Sequence, residues 1–405
     1  QKAAGKYGTL FAEKDPLMRT WTALLESTRN DIAAMQAIAD ADADADAEGA
    51  DFELREWDRL YYAEKLRKQT FDFSSEEVLP YLELGNIVDA MLWAAGEVYE
   101  FEFRELDDIP VVSPDIRVFE VLRAGEVTGV IWLDLFAREG KGPASWAAQY
   151  RSAEDFRGKT IPLVVLHSAA QKPADGGPVL VPWERANVIF HEFGHTLQTL
   201  SNATAYPSLG PLNVPWDFIE VPSLLNERWL MTDEVLSRFA LHHQSGEPMP
   251  DELRARLRAS LNHDRVFSAT LNYLGAAIVD MRLHAMADGG EIDAEAEEQK
   301  ILDELELPRA VDLVLYVPHA FHTFSPQYAA GVYTYLWSDV IAADIAYAFL
   351  ESPGGFYDAG TARRYRETIL DVGNAKPVDE AFREFRGRDP DLDALMRRFG
   401  IEASN

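Results

Sequence analysis

The hydrophobic pattern at the start of the chain is helical. Within residues 1–38, apolar side chains such as Leu17 and Trp21 recur at mixed spacings of three and four, the spacing of one helix face. The alternation of Ala and Asp from Ala39 to Asp46 then offers no large side chain to bury. Such a tract is more typical of a solvated loop or a frayed helix end than of an acidic cation-binding strip. Residues 1–50 are therefore predicted to form an N-terminal helical segment that ends in an acidic Ala/Asp loop.

The rest of the chain changes its hydrophobic period twice. The stretch 87–104 has a helical pattern, whereas residues from about 117 to 137 read as two strands joined by a turn at residues 124–126. A further short apolar run, Ile161–Leu166, predicts another strand. After residue 181 nearly every segment between the Pro- and Gly-marked loops is helical. The sequence therefore predicts a mostly α fold with one small sheet directly before the long helical part.

Composition and charge exclude several classes of protein. There are 38 Lys and Arg against 68 Asp and Glu, so the formal net charge is −30 and neither nucleic acid nor an anionic membrane surface is expected as a partner. No apolar run approaches the roughly 20 residues of a membrane helix. The absence of cysteine excludes disulfides, thiolate metal ligands and cysteine nucleophiles. No charged-then-apolar leader follows Gln1, which predicts a cytoplasmic protein, with a processed periplasmic form as the alternative.

Two histidines four residues apart lie in the helical run from Val181 to Leu200. At 3.6 residues per turn, His191 and His195 lie about 40° apart around a helix, so both imidazoles project from one face. Two neutral imidazoles placed in this way can share one Zn²⁺ ion. Glu192, one step round the helix, can reach a metal-bound water without binding the metal, which is the general-base position of an H-E-x-x-H metallopeptidase. The alternative is a pair of hydrogen-bonded core histidines.

A catalytic zinc ion needs a third protein ligand and an open position for water. Asp217, Glu220 and Glu227 follow His195 at a distance that lets one helix end and a second one return. A carboxylate near the start of that second helix would complete the ligand set. The spacing alone does not distinguish between the three acids.

The residues around these candidate ligands are informative in addition to the spacing of the ligands. Phe190-His191-Glu192-Phe193-Gly194-His195 and Asp217-Phe218-Ile219-Glu220-Val221-Pro222-Ser223 resemble the metal-binding segments of the thimet oligopeptidase and dipeptidyl carboxypeptidase family of zinc metallopeptidases. The resemblance selects Glu220, with His191 and His195, as the ligands of one Zn²⁺ per chain. It also implies a mostly α, zincin-like helical catalytic lobe over residues 51–405, with a small antiparallel β-sheet next to the H-E-x-x-H helix.

A second group of similar segments lies further along the chain. Phe321-His322-Thr323-Phe324 and the run from Tyr328 to Ser338 resemble the loop of the same family whose side chains bind substrate. By this resemblance, His322 and Tyr335 donate hydrogen bonds to the substrate and to the developing oxyanion, with Tyr328 assisting. One such donor is typically worth about 3–4 kcal/mol in a transition state.

The function that the resemblance implies is hydrolysis of short peptides, by Glu192-assisted attack of a zinc-bound water. The segment Tyr206-Pro207-Ser208-Leu209 is more similar to dipeptidyl carboxypeptidases, which predicts release of C-terminal dipeptides. The alternatives are an endo-acting oligopeptidase and a catalytically impaired zinc-binding fragment that needs a second chain. Family members carry a long helical region in front, so its counterpart is expected to be absent or to be a separate chain. Strand 129–136 is the expected edge for pairing with substrate backbone.

Overall fold

The structure, a computed structural model, describes residues 16–45, 52–264, 270–286, 290–311, 313, 316–319, 321–325 and 328–399. These residues form two compact units. The first unit takes the described residues up to Ser74, from Ala255 to Trp337 and from Leu392 onward; the second takes Ser75–Arg254 and Ser338–Asp391. The predicted boundary between residues 50 and 51 stays a prediction, and residues 1–15 of the predicted first helix lie outside the described residues.

Helices make up most of the described chain, which confirms the predicted mostly α fold. None of the described helices has the length and apolar content needed to cross a lipid bilayer. A five-residue π-helical turn, Arg366–Leu370, follows α13. The helices, numbered in chain order, are α1 Pro16–Ala45, α2 Arg59–Phe71, α3 Ser75–Val78, α4 Leu84–Tyr99, α5 Trp183–Leu200, α6 Val221–Leu230, α7 Asp233–Phe239, α8 Asp251–Asp264, α9 Thr270–His284, α10 Ala294–Glu304, α11 Phe321–Phe324, α12 Thr334–Leu350, α13 Ala359–Tyr365, α14 Val378–Arg386 and α15 Leu392–Arg398.

The acidic Ala/Asp tract continues α1 as far as Ala45. Of the two predicted structures for this tract, the loop is wrong over residues 39–45 and the helix end agrees with α1, while Asp46 lies outside the described residues. Alanine is the strongest helix former, so the tract keeps its helical conformation without a large apolar residue. The Asp42 carboxylate also pairs with the Lys65 ammonium of α2.

Two apolar clusters hold the first unit together. In one, Met35 of α1, Leu54 and Ala310 are buried against Phe52 and Tyr62. In the other, Tyr333 and Val332 pack with alanines of α9. Deep burial of residues far apart in sequence explains why these segments share one unit.

The second unit contains a five-stranded sheet in the order β1-β2-β3-β5-β4. Three strand pairs are antiparallel, but β3 and β5 are parallel. The small sheet is therefore mixed, and the prediction that it is antiparallel throughout was wrong. The chain places β4 at the sheet edge before it returns as β5 beside β3, and this extra crossing gives β5 the direction of β3. The strands are β1 Phe101–Glu105, β2 Arg117–Arg123, β3 Glu126–Phe136, β4 Trp146–Arg151 and β5 Leu163–Ala170.

The sheet edge lies elsewhere than predicted. The 129–136 segment belongs to β3, which has β2 on one side and β5 on the other, so it has no free hydrogen-bonding edge. Among the described strands the two edges are β1, which pairs with β2 alone, and β4, which pairs with β5 alone. The sequence of β4, Trp-Ala-Ala-Gln-Tyr-Arg, lacks the alternation of a half-buried strand, so the hydrophobic pattern did not reveal it.

Helix α5 packs on the sheet through a small residue. A Cβ atom built on Gly129 of β3 would lie 2.4 Å from Leu200 Cδ2, at the end of α5. Glycine at this position therefore leaves room for the Leu200 side chain against the strand. The sheet therefore sets the position of α5, the helix that carries the histidine pair.

Candidate active site

Helix α5 presents its histidines beside a deeply buried apolar face. Ile189, Phe190, Phe193 and Leu197 are almost fully buried and anchor the helix in the second unit. His191 and His195 lie one turn apart next to this face, with ring centroids 5.2 Å apart. Their imidazoles are only partly exposed, so both rings lie at the boundary between the core and the solvent.

Glu220 brings the third predicted ligand to the same point. It immediately precedes α6, and its side chain is 5% exposed. The Nε2 atoms of His191 and His195 lie 3.2 and 3.1 Å from the same oxygen, Glu220 Oε2. One donor atom from each of the three residues lies within 4.8 Å of the others. The structure thus brings together the three residues that the sequence proposed, and it separates Glu220 from the alternatives Asp217 and Glu227.

Glycine permits the close crossing of α5 and α6 that this convergence needs. A Cβ atom on Gly194 would lie 2.5 Å from Ser223 Cα, 2.7 Å from Pro222 O and 2.9 Å from Asn226 Cβ. The crossing is tied by the Asn226 side-chain amide, which donates to Phe190 O at 2.6 Å. The backbones of the two ligand-bearing helices therefore touch next to the histidines.

Glu227 has an orienting role that the sequence did not assign. Its Oε1 accepts a hydrogen bond from His191 Nδ1 at 2.8 Å. A proton on Nδ1 leaves the Nε2 lone pair of His191 directed at Glu220 Oε2, which is also an acceptor. The signal was present: Glu227 follows Glu220 by seven residues, which is two helical turns and places both acids on one face.

Ser223 fixes the Glu220 carboxylate. Its Oγ lies 2.9 Å from Glu220 O and 3.0 Å from Glu220 Oε2, and all these atoms are buried. The hydroxyl can donate to the carboxylate without competing for the oxygen's other lone pair. The Glu220 side chain is consequently held by a residue in the first turn of α6 and not by solvent.

The pKa values follow from burial and from the opposing charges. For His191, burial lowers the pKa, but hydrogen bonds to Glu220 and Glu227 outweigh it and raise the pKa well above its ordinary value. For Glu220, burial raises the pKa, but His195 and His191 outweigh it and hold the pKa far below its usual range. The cluster of two imidazoles and one carboxylate thus favours a bound positive charge. That charge can be a proton or a metal dication, and the two compete for the same donor atoms.

Glu192 lies in a different environment from Glu220. Burial dominates and raises the pKa of the Glu192 carboxyl, against the lowering effect of the two imidazoles. The backbone N–H of Ala147, in edge strand β4, faces this carboxylate and offsets a small part of that rise in its pKa. Glu192 is therefore held between the histidine helix and the free edge of the sheet, and it does not belong to the group of three ligand atoms.

The residues predicted to contact substrate belong to the first unit. Tyr335 Oη donates to Tyr328 Oη at 3.2 Å, and the two rings are stacked with centroids 5.8 Å apart. His322 lies in α11, and its side chain is outside the described residues. The structure brings the two tyrosines together, whereas the role of all three residues toward a substrate stays a prediction.

Asp280 of α9 fixes the backbone of the loop that carries these tyrosines. Its buried carboxylate accepts the backbone N–H groups of Ala330 and Val332, each at 3.1 Å, and lies 3.0 Å from His284 Nδ1. Ala330 has a φ of 53°, a left-handed conformation that is costly for alanine. The two hydrogen bonds hold this turn between Tyr328 and the start of α12.

The three donor groups fit a zinc ion by their chemistry. Two imidazole nitrogens and one carboxylate oxygen form a donor set typical of catalytic zinc. The hydrogen bond between His191 and Glu227 supplies the outer partner that orients a ligating histidine. These residues also meet on the helical H-E-x-x-H pattern with a third acid from the following helix. This combination defines the site type of a helical metallopeptidase.

Comparison with known proteins agrees with this site. The sequence profile of peptidase family M3 matches residues 14–401, and the chain belongs to that family. It is 32% identical over 377 residues to dipeptidyl carboxypeptidase of Escherichia coli (strain K12), covering 92% of this chain and 54% of that protein. It is 33% identical over 383 residues to oligopeptidase A of the same organism, with the same two coverages. The chain therefore spans about half the length of these curated relatives.

Proposed function

We propose that the chain hydrolyses peptide bonds of short peptides with one catalytic Zn²⁺ held by His191, His195 and Glu220. The proposal rests on one observation: both imidazole Nε2 atoms lie within 3.2 Å of the same Glu220 oxygen. Membership of a metallopeptidase family supports it. The chain covers only about half the length of each relative. The activity is therefore proposed from the residues of this chain and not transferred from the relatives.

In this proposal Glu192 is the general base. A bound zinc ion supplies Lewis acidity, which polarises the scissile carbonyl and acidifies water. Glu192 accepts the proton of the attacking water on its carboxylate and passes it to the leaving amine. The Ala147 N–H faces the carboxylate and favours its charged form, the form that accepts the proton. By the family resemblance, His322, Tyr328 and Tyr335 are the proposed donors to substrate and oxyanion.

The peptide backbone is proposed to pair with β4. The Val130 N–H of β3 donates to Pro162 O, so even-numbered residues of β5 direct their backbone groups to β3 and odd-numbered residues direct theirs to β4. Ala147 pairs with Leu166 and therefore directs its backbone groups away from β5, next to the proposed base. Backbone groups on a strand alternate in direction, so Gln149 presents the next outward N–H and C=O. An extended peptide that adds to this edge would satisfy these groups and bring its own carbonyl carbon to Glu192.

Zinc content tests the ligand set. The purified chain is expected to contain one equivalent of zinc by elemental analysis, and Glu220→Ala is expected to lose most of it. Glu227→Gln removes only the orienting carboxylate, so zinc affinity is expected to fall by about 10–100-fold in a chelator competition. Glu184→Gln, an exposed acid in the first turn of α5, is the matched control and should bind zinc normally. Full zinc content in Glu220→Ala would contradict the proposed ligand set.

The cleavage mode is proposed to be release of C-terminal dipeptides, since the sequence segments favour it and one relative carries that name. An N-blocked tetrapeptide with a free C-terminus should be cleaved about 10–100-fold faster than its amide, because a charged carboxylate is then bound. Liquid chromatography of the products measures both rates. Equal cleavage of both peptides would favour the alternative of an endo-acting oligopeptidase. Another relative is named oligopeptidase A. No cleavage of either by the zinc-loaded chain would favour an impaired fragment that needs a second chain.

A further inference from the structure

An aromatic surface borders the edge strand on the face opposite the histidine helix. Trp146 of β4 stacks on His167 of β5 with centroids 4.3 Å apart, and the Tyr150 ring lies 6.3 Å from the same imidazole. Trp146 is 36% exposed and Tyr150 is 66% exposed. We call Trp146, His167 and Tyr150 the aromatic shelf.

The shelf is built on a rigid base. The His167 Nδ1 atom lies 3.1 Å from the buried carboxylate of Asp134. Arg138 and Lys141 in turn donate to Asp134, at 2.5 and 2.9 Å. This network fixes the imidazole on which Trp146 lies, so the indole is held flat against the sheet. A side chain held in this way loses little entropy when it binds another group.

The register of β4 directs Tyr150 toward the shelf. Gln149 pairs with Val164 and Arg151 pairs with Leu163, so Tyr150 is the extra residue of a β-bulge. Strand alternation places Trp146, Ala148 and Tyr150 on one face, and the Tyr150 ring stays near His167 on that face despite the bulge. Ala148, between the two aromatic residues, has only a methyl group.

We propose that the aromatic shelf is a substrate subsite that selects a large apolar or aromatic side chain on the amino-terminal side of the scissile bond. The proposal rests on the proposed function, in which a peptide adds to β4 next to Glu192. In an antiparallel pair, residues opposite Ala147 and Ala148 point to opposite faces of the sheet. The residue opposite Ala148 then points to the shelf, and it precedes the residue opposite Ala147 in the peptide.

The geometry favours contact at this position. Ala148 pairs with Val165, whose backbone groups face β4, so Ala148 is bonded to β5 and forms a non-hydrogen-bonded pair with an added strand. Side chains approach most closely in such pairs, and diagonal neighbours two residues away are within reach of aromatic rings. A bulky apolar side chain opposite Ala148 would therefore touch both Trp146 and Tyr150. A short or charged side chain would leave them in water.

Peptide binding to a Glu192→Gln chain loaded with zinc tests this subsite without turnover. The probes are N-acetylated alanine hexapeptides with a single Phe moved through the positions, and calorimetry gives each Kd. Binding is expected to be about three- to tenfold tighter when Phe lies at one position amino-terminal to the scissile bond. Trp146→Ala and Tyr150→Ala should each remove most of that preference, while Trp146→Phe should keep it.

The controls separate the shelf from general damage to the chain. Phe156→Ala removes an aromatic residue that is 62% exposed and lies outside β4, so the preference should stay. Tyr150 is so exposed that its replacement leaves the core intact. A Phe preference that is absent, or that is unchanged in both Trp146→Ala and Tyr150→Ala, overturns the subsite. Hydrolysis of the same peptides by the chain with Glu192 intact reports separately on the proposed function.

Discussion

Glu192→Gln is expected to lower kcat by about 10²–10⁴-fold, the usual contribution of a general base, while zinc binding stays at one equivalent. The amide has nearly the shape of the carboxylate but does not accept the water proton. Glu192 is separate from the three atoms that meet at the metal group, so the ligands keep their positions. Steady-state kinetics on a short peptide, with elemental analysis of the same sample, measures both parts of the prediction.

The Ala147 N–H makes this variant informative about geometry as well. A glutamine side chain also presents an oxygen to that N–H, so KM is expected to change little. Glu184→Gln, which changes charge by the same amount at an exposed position of the same helix, controls for the general effect of charge. A fully active Glu192→Gln chain would show that another group removes the proton. Loss of zinc from the variant would show instead that Glu192 supports the ligands.

The histidine pair could be predicted because its chemistry is local. His191, Glu192 and His195 lie within one and a half turns of one helix, where the helical period alone fixes which side chains share a face. The third ligand was ambiguous from spacing, because Glu220 and Glu227 lie two turns apart on the same face. The structure distinguishes them through contacts with different nitrogens of one imidazole. That difference depends on the crossing of two helices, which no local pattern encodes.

The pairing of the strands, like the crossing of the two helices, could not be predicted from local sequence patterns. The hydrophobic runs of β2, β3 and β5 identify strands that are buried in the sheet, yet they do not reveal the order in which the strands pair. β4 lacks the apolar–polar alternation of a half-buried strand, and β1 follows α4 so closely that both were assigned to one helix. The edge proposed to bind substrate is therefore the part of the sheet with the weakest sequence signal. An edge that binds substrate needs free backbone groups and accessible side chains, and neither produces a buried-strand pattern.

Two glycines connect the sheet to the metal ligands. Gly129 lets Leu200 of α5 approach β3, and Gly194 lets α6 approach α5. The Gly129 contact is with the end of a leucine side chain, whereas the Gly194 contacts are with the backbone of α6. A displacement of the α6 backbone at this crossing is therefore passed directly to the proposed ligand Glu220.

Gly194→Ala is accordingly expected to impair the site although it changes no ligand. The new methyl group would lie 2.5 Å from Ser223 Cα and 2.7 Å from Pro222 O, which are backbone atoms that cannot rotate away. Helix α6 must then shift, and Glu220 moves with it because it directly precedes that helix. Overpacking of this kind typically costs about 1–3 kcal/mol of unfolding free energy. A misplacement of about 1 Å at the reacting groups typically costs about 10²-fold in rate, so kcat/KM should fall by that order.

Gly142→Ala is the matched control, since a Cβ atom there meets nothing within 4 Å. Denaturant unfolding, zinc affinity and kcat/KM should all be close to those of the parent chain in this control. In Gly194→Ala the three quantities should fall together, because one displacement of α6 causes all of them. A variant that lost stability but kept zinc affinity and kcat/KM would show that α6 moves without carrying Glu220 away from the histidines. Unchanged stability would mean that the helices cross less closely than the Gly194 contacts require.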